Sequence, residues 1–386
     1  MTSIHRRPED AGIGAWRGDG YRYFSYNFYL RKKFGCRVQR VSVDGRFTCP
    51  NVDGTRATGG CVFCDNRSFS PSRRPSRLNT SSKKLERHQA ARPARPQVDG
   101  VGSRPSTGSK IAPTASRGRE TTRNDAVLPP GRSIVEQLEE GIRRVKHRYK
   151  CDKFVAYFQP GTNTYAPVEL LERLYRQALG HPAVVGLAIG TRPDCVPIEV
   201  VELLSRIGRD TYVSLEVGMQ TMHDRTLDWM NRAHHHAEFV ACIERCQGRG
   251  FQLGTHVILG LPGESTPDML ATAREIARLP IDSVKIHNLY VVRNTALADQ
   301  FERGAIRLID RAAYVRAVAD FLEYLPADCV VERLVGDAPA DFFLGPAWCL
   351  DKPAVLKAID HELMRRDSWQ GFRYQPTRGR GTGTDR

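Results

Sequence analysis

The stretch RVQRVSVDGRFTCPNVDGTRATGGCVFC, Arg37 to Cys64, decides how the rest of the chain is read. Its first seven residues, Arg37 to Val43, read as a β-strand. Three cysteines follow in the loop, Cys49, Cys61 and Cys64, with the spacing C-x11-C-x2-C. Three thiolates from one loop can hold three irons of a [4Fe–4S] cluster and leave the fourth iron open. A small molecule can chelate an open iron, which makes such a cluster a catalyst rather than an electron wire. Gly54, Gly59 and Gly60 supply the permissive backbone that a loop folding around a cluster needs.

Clustered cysteines also serve zinc, which asks for a fourth ligand, and Cys36 is the nearest candidate. A disulfide framework is the weakest reading, because the opening residues MTSIHRRPEDAGIGAW hold no apolar signal-peptide core. No apolar stretch approaches the ~20 residues needed to span a bilayer. The expected location is the cytoplasm, with reduced thiols and no membrane partner.

The 386 residues carry a net charge of +15, which points to an anionic partner. The charge is concentrated. Ser72 to Arg132 hold fourteen Lys and Arg against four Asp and Glu, ten of the fifteen net positive charges, and no aromatic residue. Such a segment cannot bury enough apolar surface to offset its chain entropy, so residues 72–132 are expected to be disordered. They read as a loop insertion or as a tether for RNA. The tail 373–386 is expected to be disordered as well.

Beyond the insertion, strands and helices alternate. Strands are expected over Asp152–Gln159, Ala183–Thr191, Thr211–Thr221, Phe251–Gly263 and Ser283–Val292. Helices are expected from Ser133 as N-cap, over Ala166–Leu179, Pro197–Ile207, Thr266–Leu279 and Arg311–Leu325, with helical segments over Met222–Gly250. With the first strand this makes six βα units and a parallel sheet covered on both faces. In such folds chemistry gathers at the C-terminal ends of the strands. The unusual polar residues fall there in turn: QPGTNT (Gln159–Thr164), TRPDC (Thr191–Cys195), EVGMQ (Glu216–Gln220), GLPGE (Gly260–Glu264) and His287–Asn288.

Taken in order, CPNVDGT…GGCVFC, YFQPGTNTYAP, IGTRPDCV, EVGMQTMHDRTL, HVILGLPGE and VKIHNLYVV resemble the radical S-adenosylmethionine (SAM) superfamily. Within it the chain resembles the branch around the Elongator catalytic subunit, and most of all an uncharacterised bacterial subfamily of that branch. The resemblance implies an incomplete (βα)6 TIM-like barrel with a [4Fe–4S] cluster at its open end. It implies a core over residues 31–330, an N-terminal extension over 1–30 and a barrel-closing strand and helix over 331–372.

By the same resemblance Cys49, Cys61 and Cys64 would ligate the cluster and Phe63 would pack beside the SAM adenine. Gln159, Thr162 and Asn163 would stand where the superfamily's Gly-Gly-Glu segment meets the SAM amino group, a motif this chain lacks in literal form. Glu216 and Gln220 would face the ribose and methionyl part, Arg232 the carboxylate, and Thr191, Gly260 and Gly263 would line the same site. The family tends to carry Arg-Gly-His where this chain has Arg232, Ala233 and His234. The run His234–His236 reads as a polar helix start or a metal site, and Cys195 as a buried structural cysteine or a substrate-side hydrogen donor.

The implied activity is reductive cleavage of SAM to a 5′-deoxyadenosyl radical, fed by a donor such as flavodoxin or ferredoxin, with RNA or tRNA as the substrate by analogy. The alternative is a non-catalytic RNA-binding or assembly protein with a structural metal. No Gly-rich acyl-CoA loop follows the barrel, so acetyl transfer is not expected. Replacing residues 72–132 by a short linker should leave iron loading and SAM cleavage at full-length levels. Iron analysis of the deletion protein checks this, and loss of iron would mean that the segment folds with the barrel.

Overall fold

In the structure, a computed structural model, residues 14–66, 132–337 and 339–376 are described. The expected disorder of 72–132, apart from Arg132, lies outside the described residues, as does that of 377–386.

Seven parallel strands form one curled sheet in the order β1-β2-β3-β4-β5-β6-β8. They are β1 (Val38–Val43), β2 (Lys153–Phe158), β3 (Val184–Thr191), β4 (Tyr212–Gln220), β5 (Gln252–Leu259), β6 (Ser283–Asn288) and β8 (Val330–Arg333). Six strands were expected to alternate with helices; the seventh is the barrel-closing strand, one residue earlier than expected. The order is sequential because each crossover helix returns the chain beside the strand it just left.

The helices cover the outer face: α3 (Ile134–Tyr149), α4 (Val168–Leu179), α5 (Ile198–Gly208), α7 (His236–Cys246), α8 (Thr266–Arg278) and α10 (Arg311–Tyr324), with α11 (Lys352–Arg365) packed on α10. Ser133 caps α3 as expected, through a reciprocal box with Glu136. Gly141 of α3 lies so close to β1 that a Cβ there would meet Val41 Cγ1 at 2.3 Å. Outward residues such as Val41, Phe158, Leu187, Leu215, Val257 and Ile286 join this helix layer in the main core.

The helical segments after β4 are two helices, α6 (Asp224–Trp229) and α7, separated by Asn231 and Ala233 with φ of 52° at both. One expected element differs. The sixth strand stops at Asn288: its pairing with β8 ends at Lys285, and its pairing with β5 ends where β5 does, Leu259 opposite Asn288. Val291–Val292 form a separate antiparallel pair, β7, with β9 (Phe343–Gly345).

The N-terminal segment is not an appendage. Helix α2 (Tyr26–Phe34) packs on both edge strands, β1 and β8. Val331 of β8 donates its N–H to Phe24 O at 2.7 Å. Trp16, Phe24, Phe28, Tyr29 and Leu30 are buried with Val38, Val155, Tyr157, Tyr212 and Val330, which point into the lumen. The short helix α1 (Ala15–Gly18) carries Trp16, whose indole N–H donates to Ala327 O at 3.1 Å. This aromatic plug closes the bottom of the barrel, so the folded unit begins well before residue 31.

Above the plug the lumen is ionic. Arg40 of β1 pairs with Glu332 of β8 at 2.6 Å and with Glu216 of β4 at 2.8 Å. Lys285 of β6 is ion-paired to Glu216 and donates to Tyr157 OH at 3.0 Å. Burial alone would push the Glu216 carboxyl up, but Arg40 and Lys285 outweigh it and hold it well below the usual range. Burial pulls Lys285 down to about 8 against the attraction of Glu216. Two cations thus answer two carboxylates in a dry interior. Arg40→Met leaves both carboxylates short of a partner and should cost about 3–5 kcal/mol in denaturant unfolding. Adding Glu332→Gln should recover part of that loss; a cost below about 1 kcal/mol for Arg40→Met would mean that the network does not hold the edges together.

Candidate functional site at the C-terminal rim

The cysteine loop is tied down on every side. Asn51 donates from Nδ2 to Asn231 O at 2.6 Å and Arg232 O at 3.1 Å, and the same nitrogen lies 3.7 Å from Cys61 Sγ. Asn231 returns the contact by donating to Gly60 O at 2.8 Å and Thr58 O at 2.9 Å. Val62 donates to Met230 O, and its own carbonyl accepts from Leu297 N–H at 2.8 Å. Phe63 is half-buried and packs with Trp229, Phe301 and Leu344 around Leu227 and Met230.

All ten cysteines are free thiols. Burial pushes the Cys64 thiol up to about 12, and Cys61 and Cys49 add to the shift. Cys49 and Cys61 therefore lie close enough to Cys64 to disfavour its thiolate when no cation is present. Bound iron supplies that cation and deprotonates its ligands. Among the described residues no three His, Cys, Asp or Glu side chains converge on a point as a single ion needs. A cubane instead takes each thiolate on a different iron, so its ligands stand apart. Cys36 is exposed and precedes β1, while Cys49 follows it, so a six-residue strand separates the two. It cannot be the fourth ligand. The donor set, three cysteines of one loop without Cys36, fits a three-cysteine cluster.

The neighbouring strand ends lock to this loop. Gly161, at φ 78°, leaves room for Phe47 O, which a Cβ would meet at 2.5 Å. Thr162 donates its N–H to Thr48 O at 3.0 Å. Asn163 is fully buried and donates from Nδ2 to Gly190 O at 2.8 Å. Thr191 shares its hydroxyl with Thr164 at 2.5 Å. Asn163 and Thr191, both expected on the cofactor side, spend these groups on joining β2 to β3. Gln159 is half-buried, with Ser42 Oγ 3.4 Å from its Oε1.

Gln220 ends β4 in the left-handed region at φ 71°, just past a register break at Gly218. A Cβ on Gly218 would meet Gln220 Nε2 at 2.7 Å and Arg232 Nη2 at 2.8 Å. Arg232 donates to Gly218 O at 3.1 Å, to His234 Nε2 at 2.8 Å and to Cys61 Sγ at 3.5 Å. Gln220 and Arg232 therefore meet over Gly218, and Arg232 reaches on to Cys61. Glu216 does not reach them. It lies four residues lower on β4, about 13 Å along the strand, with its oxygens held by Arg40, Lys285 and His256. Its place is the barrel floor, which corrects the expectation that it faces SAM.

Gly260, at φ 79°, packs against Ile309, and Gly263, at φ 81°, borders open space. The three histidines diverge. Burial and Arg232 bring His234 down to about 2, His235 pairs with Asp228, and His236 with Glu275. They form a helix start, with His235 N–H donating to Glu238, and no metal site. Cys195 is buried and pushed up to about 12 by burial, as a structural cysteine would be.

Sequence reasoning missed Asn51, Asn231 and the role of Arg192 with Asp194. Asn51 sits inside the cysteine motif itself, which was the available signal; nothing marked Asn231.

A parallel sheet curled into an open barrel, with three thiols gathered at its C-terminal rim, defines an enzyme that works through a bound iron–sulfur cofactor. The chain belongs to the radical SAM superfamily, whose family model matches residues 122–276, while the Radical_SAM C-terminal domain matches residues 281–365. The cysteine loop precedes the matched range. The superfamily's cofactors are a [4Fe–4S] cluster and SAM.

The chain is 34% identical over 354 residues to the uncharacterized protein YtqA of Bacillus subtilis, covering 92% of this chain and 93% of that one. It is 26% identical over 161 residues to the tRNA uridine(34) acetyltransferase of Dehalococcoides mccartyi, covering 41% of this chain and 34% of that one. The fold matches the solved structure of archaeal Methanocaldococcus infernus Elp3 with a TM-score of 0.54 at 18% identity, over 61% of this chain and 59% of that one. These relatives place the chain in an Elongator-like branch with uncharacterised bacterial members. No helix among the described residues is long and apolar enough to cross a membrane.

The φ of 52° at Ala233 gives the physical reason for a glycine between the family's Arg and His. Ala233→Gly should raise stability by about 0.5–1 kcal/mol, the left-handed penalty less the added unfolded-chain entropy. Denaturant midpoints check this, and a loss of stability would mean that the Ala233 methyl packs usefully.

Proposed function

We propose that the protein reductively cleaves SAM at a cluster ligated by Cys49, Cys61 and Cys64, and that its substrate is an RNA. The observation that carries this reading is the rim loop of three free thiols, in which Cys49 and Cys61 act on Cys64 and Arg232 donates to Cys61 at 3.5 Å. When bound, the cluster supplies the electron that breaks the sulfonium C–S bond of SAM.

The chain's own residues bind, orient and exclude water. Arg232 offers a planar cation beside Cys61, suited to the SAM carboxylate. The backbone at Gln159 to Thr162 faces the amino group, with Asn163 and Thr191 holding that loop. Phe63 offers its ring to the adenine. Gln220 faces the ribose, and the turn through Gly260 and Gly263 lets the cofactor approach the backbone. The plug and the ionic floor shut the opposite end of the barrel to water.

An RNA substrate is supported by the net charge of +15 and by the tRNA-modifying name of one relative. Ten unpaired cysteines suit a reducing cytoplasm, where a flavodoxin or ferredoxin serves as donor. Anaerobically reconstituted protein should bind about four irons and absorb broadly near ~400 nm. Cys49→Ala, Cys61→Ala and Cys64→Ala should each abolish both, and with them the release of 5′-deoxyadenosine. Stoichiometric zinc without iron would establish the alternative, a non-catalytic protein with a structural metal.

A further inference from the structure

Arg192 is buried at the end of β3, 2% exposed, and no step above uses it. Asp194 clamps it from one side, accepting from Nε and Nη2 at 2.9 Å each. The third nitrogen, Nη1, is buried and has no hydrogen-bond partner. A buried guanidinium N–H without an acceptor is unfavourable and asks for a reason.

Its surroundings supply one. Asp194 also pairs at 3.4 Å with Arg56, which lies in the loop between Cys49 and Cys61. Arg56 also pairs with Glu238 at 2.9 Å, so Asp194 is shared only in part, and with Arg232 three guanidiniums here face two carboxylates. Arg232 stands nearby and takes its contacts from Gly218 O, His234 and Cys61, none of them a carboxylate. Arg192 is close enough to Cys49 and Cys61 that their thiolates favour its charged form, and its own charge disfavours a charged His234.

We propose that Arg192 sets the reduction potential of the cluster, stabilising the reduced form through an incompletely neutralised positive charge beside Cys49 and Cys61. The inference rests on the reading that these cysteines hold a cluster. Reduction adds one electron from a low-potential donor and breaks no bond at Arg192. It makes the ligated cluster more negative by one charge, and a buried cation at fixed distance favours that state. Asp194 then acts through Arg192, holding the guanidinium in place while partly offsetting its charge.

The test is potentiometry on the reconstituted full-length protein without SAM, titrated with Ti(III) citrate and followed by electron paramagnetic resonance. Arg192→Gln should lower the ratio of reduced to oxidised cluster at least tenfold at the wild-type midpoint, a shift of about 59 mV to more negative potential for one electron. Arg192→Lys, which keeps the charge, should stay within threefold of wild type. Asp194→Asn, which removes the counter-charge, should shift the potential the opposite way, and it decides the matter alone if Arg192→Gln does not fold.

An unmoved potential in Arg192→Gln and Asp194→Asn, both loaded with iron, overturns the proposal. So does an unmoved potential with a tenfold loss of SAM affinity, which would assign Arg192 to the SAM carboxylate. Wild-type protein that assembles no cluster overturns the cluster reading as well, and iron analysis separates that failure from the other two.

Discussion

The ion pair between Arg40 and Glu332 joins the two edges of the sheet across the lumen. The sheet does not close on itself: β1 and β8 are its two edges, and β8 meets the N-terminal segment at Val331. Here the edges are drawn together by charge above and by helix α2 below. The geometry of the rim follows, because curling the sheet is what brings six successive strand ends around one opening. Glu216 and Lys285 extend the pair to β4 and β6, so four strands share one network. Such a network is costly to desolvate and is retained only where both signs are matched. Its members therefore cannot also serve at the rim.

Above that floor the protein concentrates backbone strain. Gln220, Asn231 and Ala233 adopt left-handed conformations although none is a glycine. All three border Arg232, the side chain that reaches Cys61. Strain of this kind persists where surrounding contacts over-determine it. Asn51 and Asn231 supply those contacts, each bonding the backbone that carries the other. The cysteine loop is consequently held from the β4 side, in a chain region about 170 residues away. The rim is shaped in advance of any ligand, which lowers the cost of ordering it on binding.

Much of the fold was legible in the sequence because its strands are continuous apolar runs separated by helical periodicity. β2, β3, β4 and β5 lie within the expected spans, shortened at their ends, and Ser133 caps its helix as read. The cysteines were legible because three thiols at that spacing have few other uses. Arg232, singled out through a family motif, donates to Cys61 at 3.5 Å. The break after Asn288 was not legible, since a strand ends where its neighbour ends, and the pairing that sets it, Leu259 of β5 opposite Asn288, appears only in the folded sheet. The aromatic plug was not legible either. Its side chains pack against lumen residues of β1, β2, β4 and β8, and no local pattern announces such a partner.

What the sequence by itself determined was local: the identity of the ligands, the alternation of elements, the capping of helices and the placing of polar residues at strand ends. What only the tertiary structure decided was which of those residues face which. Glu216 and Gln220 lie on one strand, and four residues of rise, with a register break between them, separate the ionic floor from the rim. Cys36 and Cys49 look like neighbours in sequence, yet a strand's length parts them. Arg192 reads as one residue of a turn until folding sets it beside Cys49 and Cys61. Charge and ligation depend on distance through space, and only the curled sheet sets those distances.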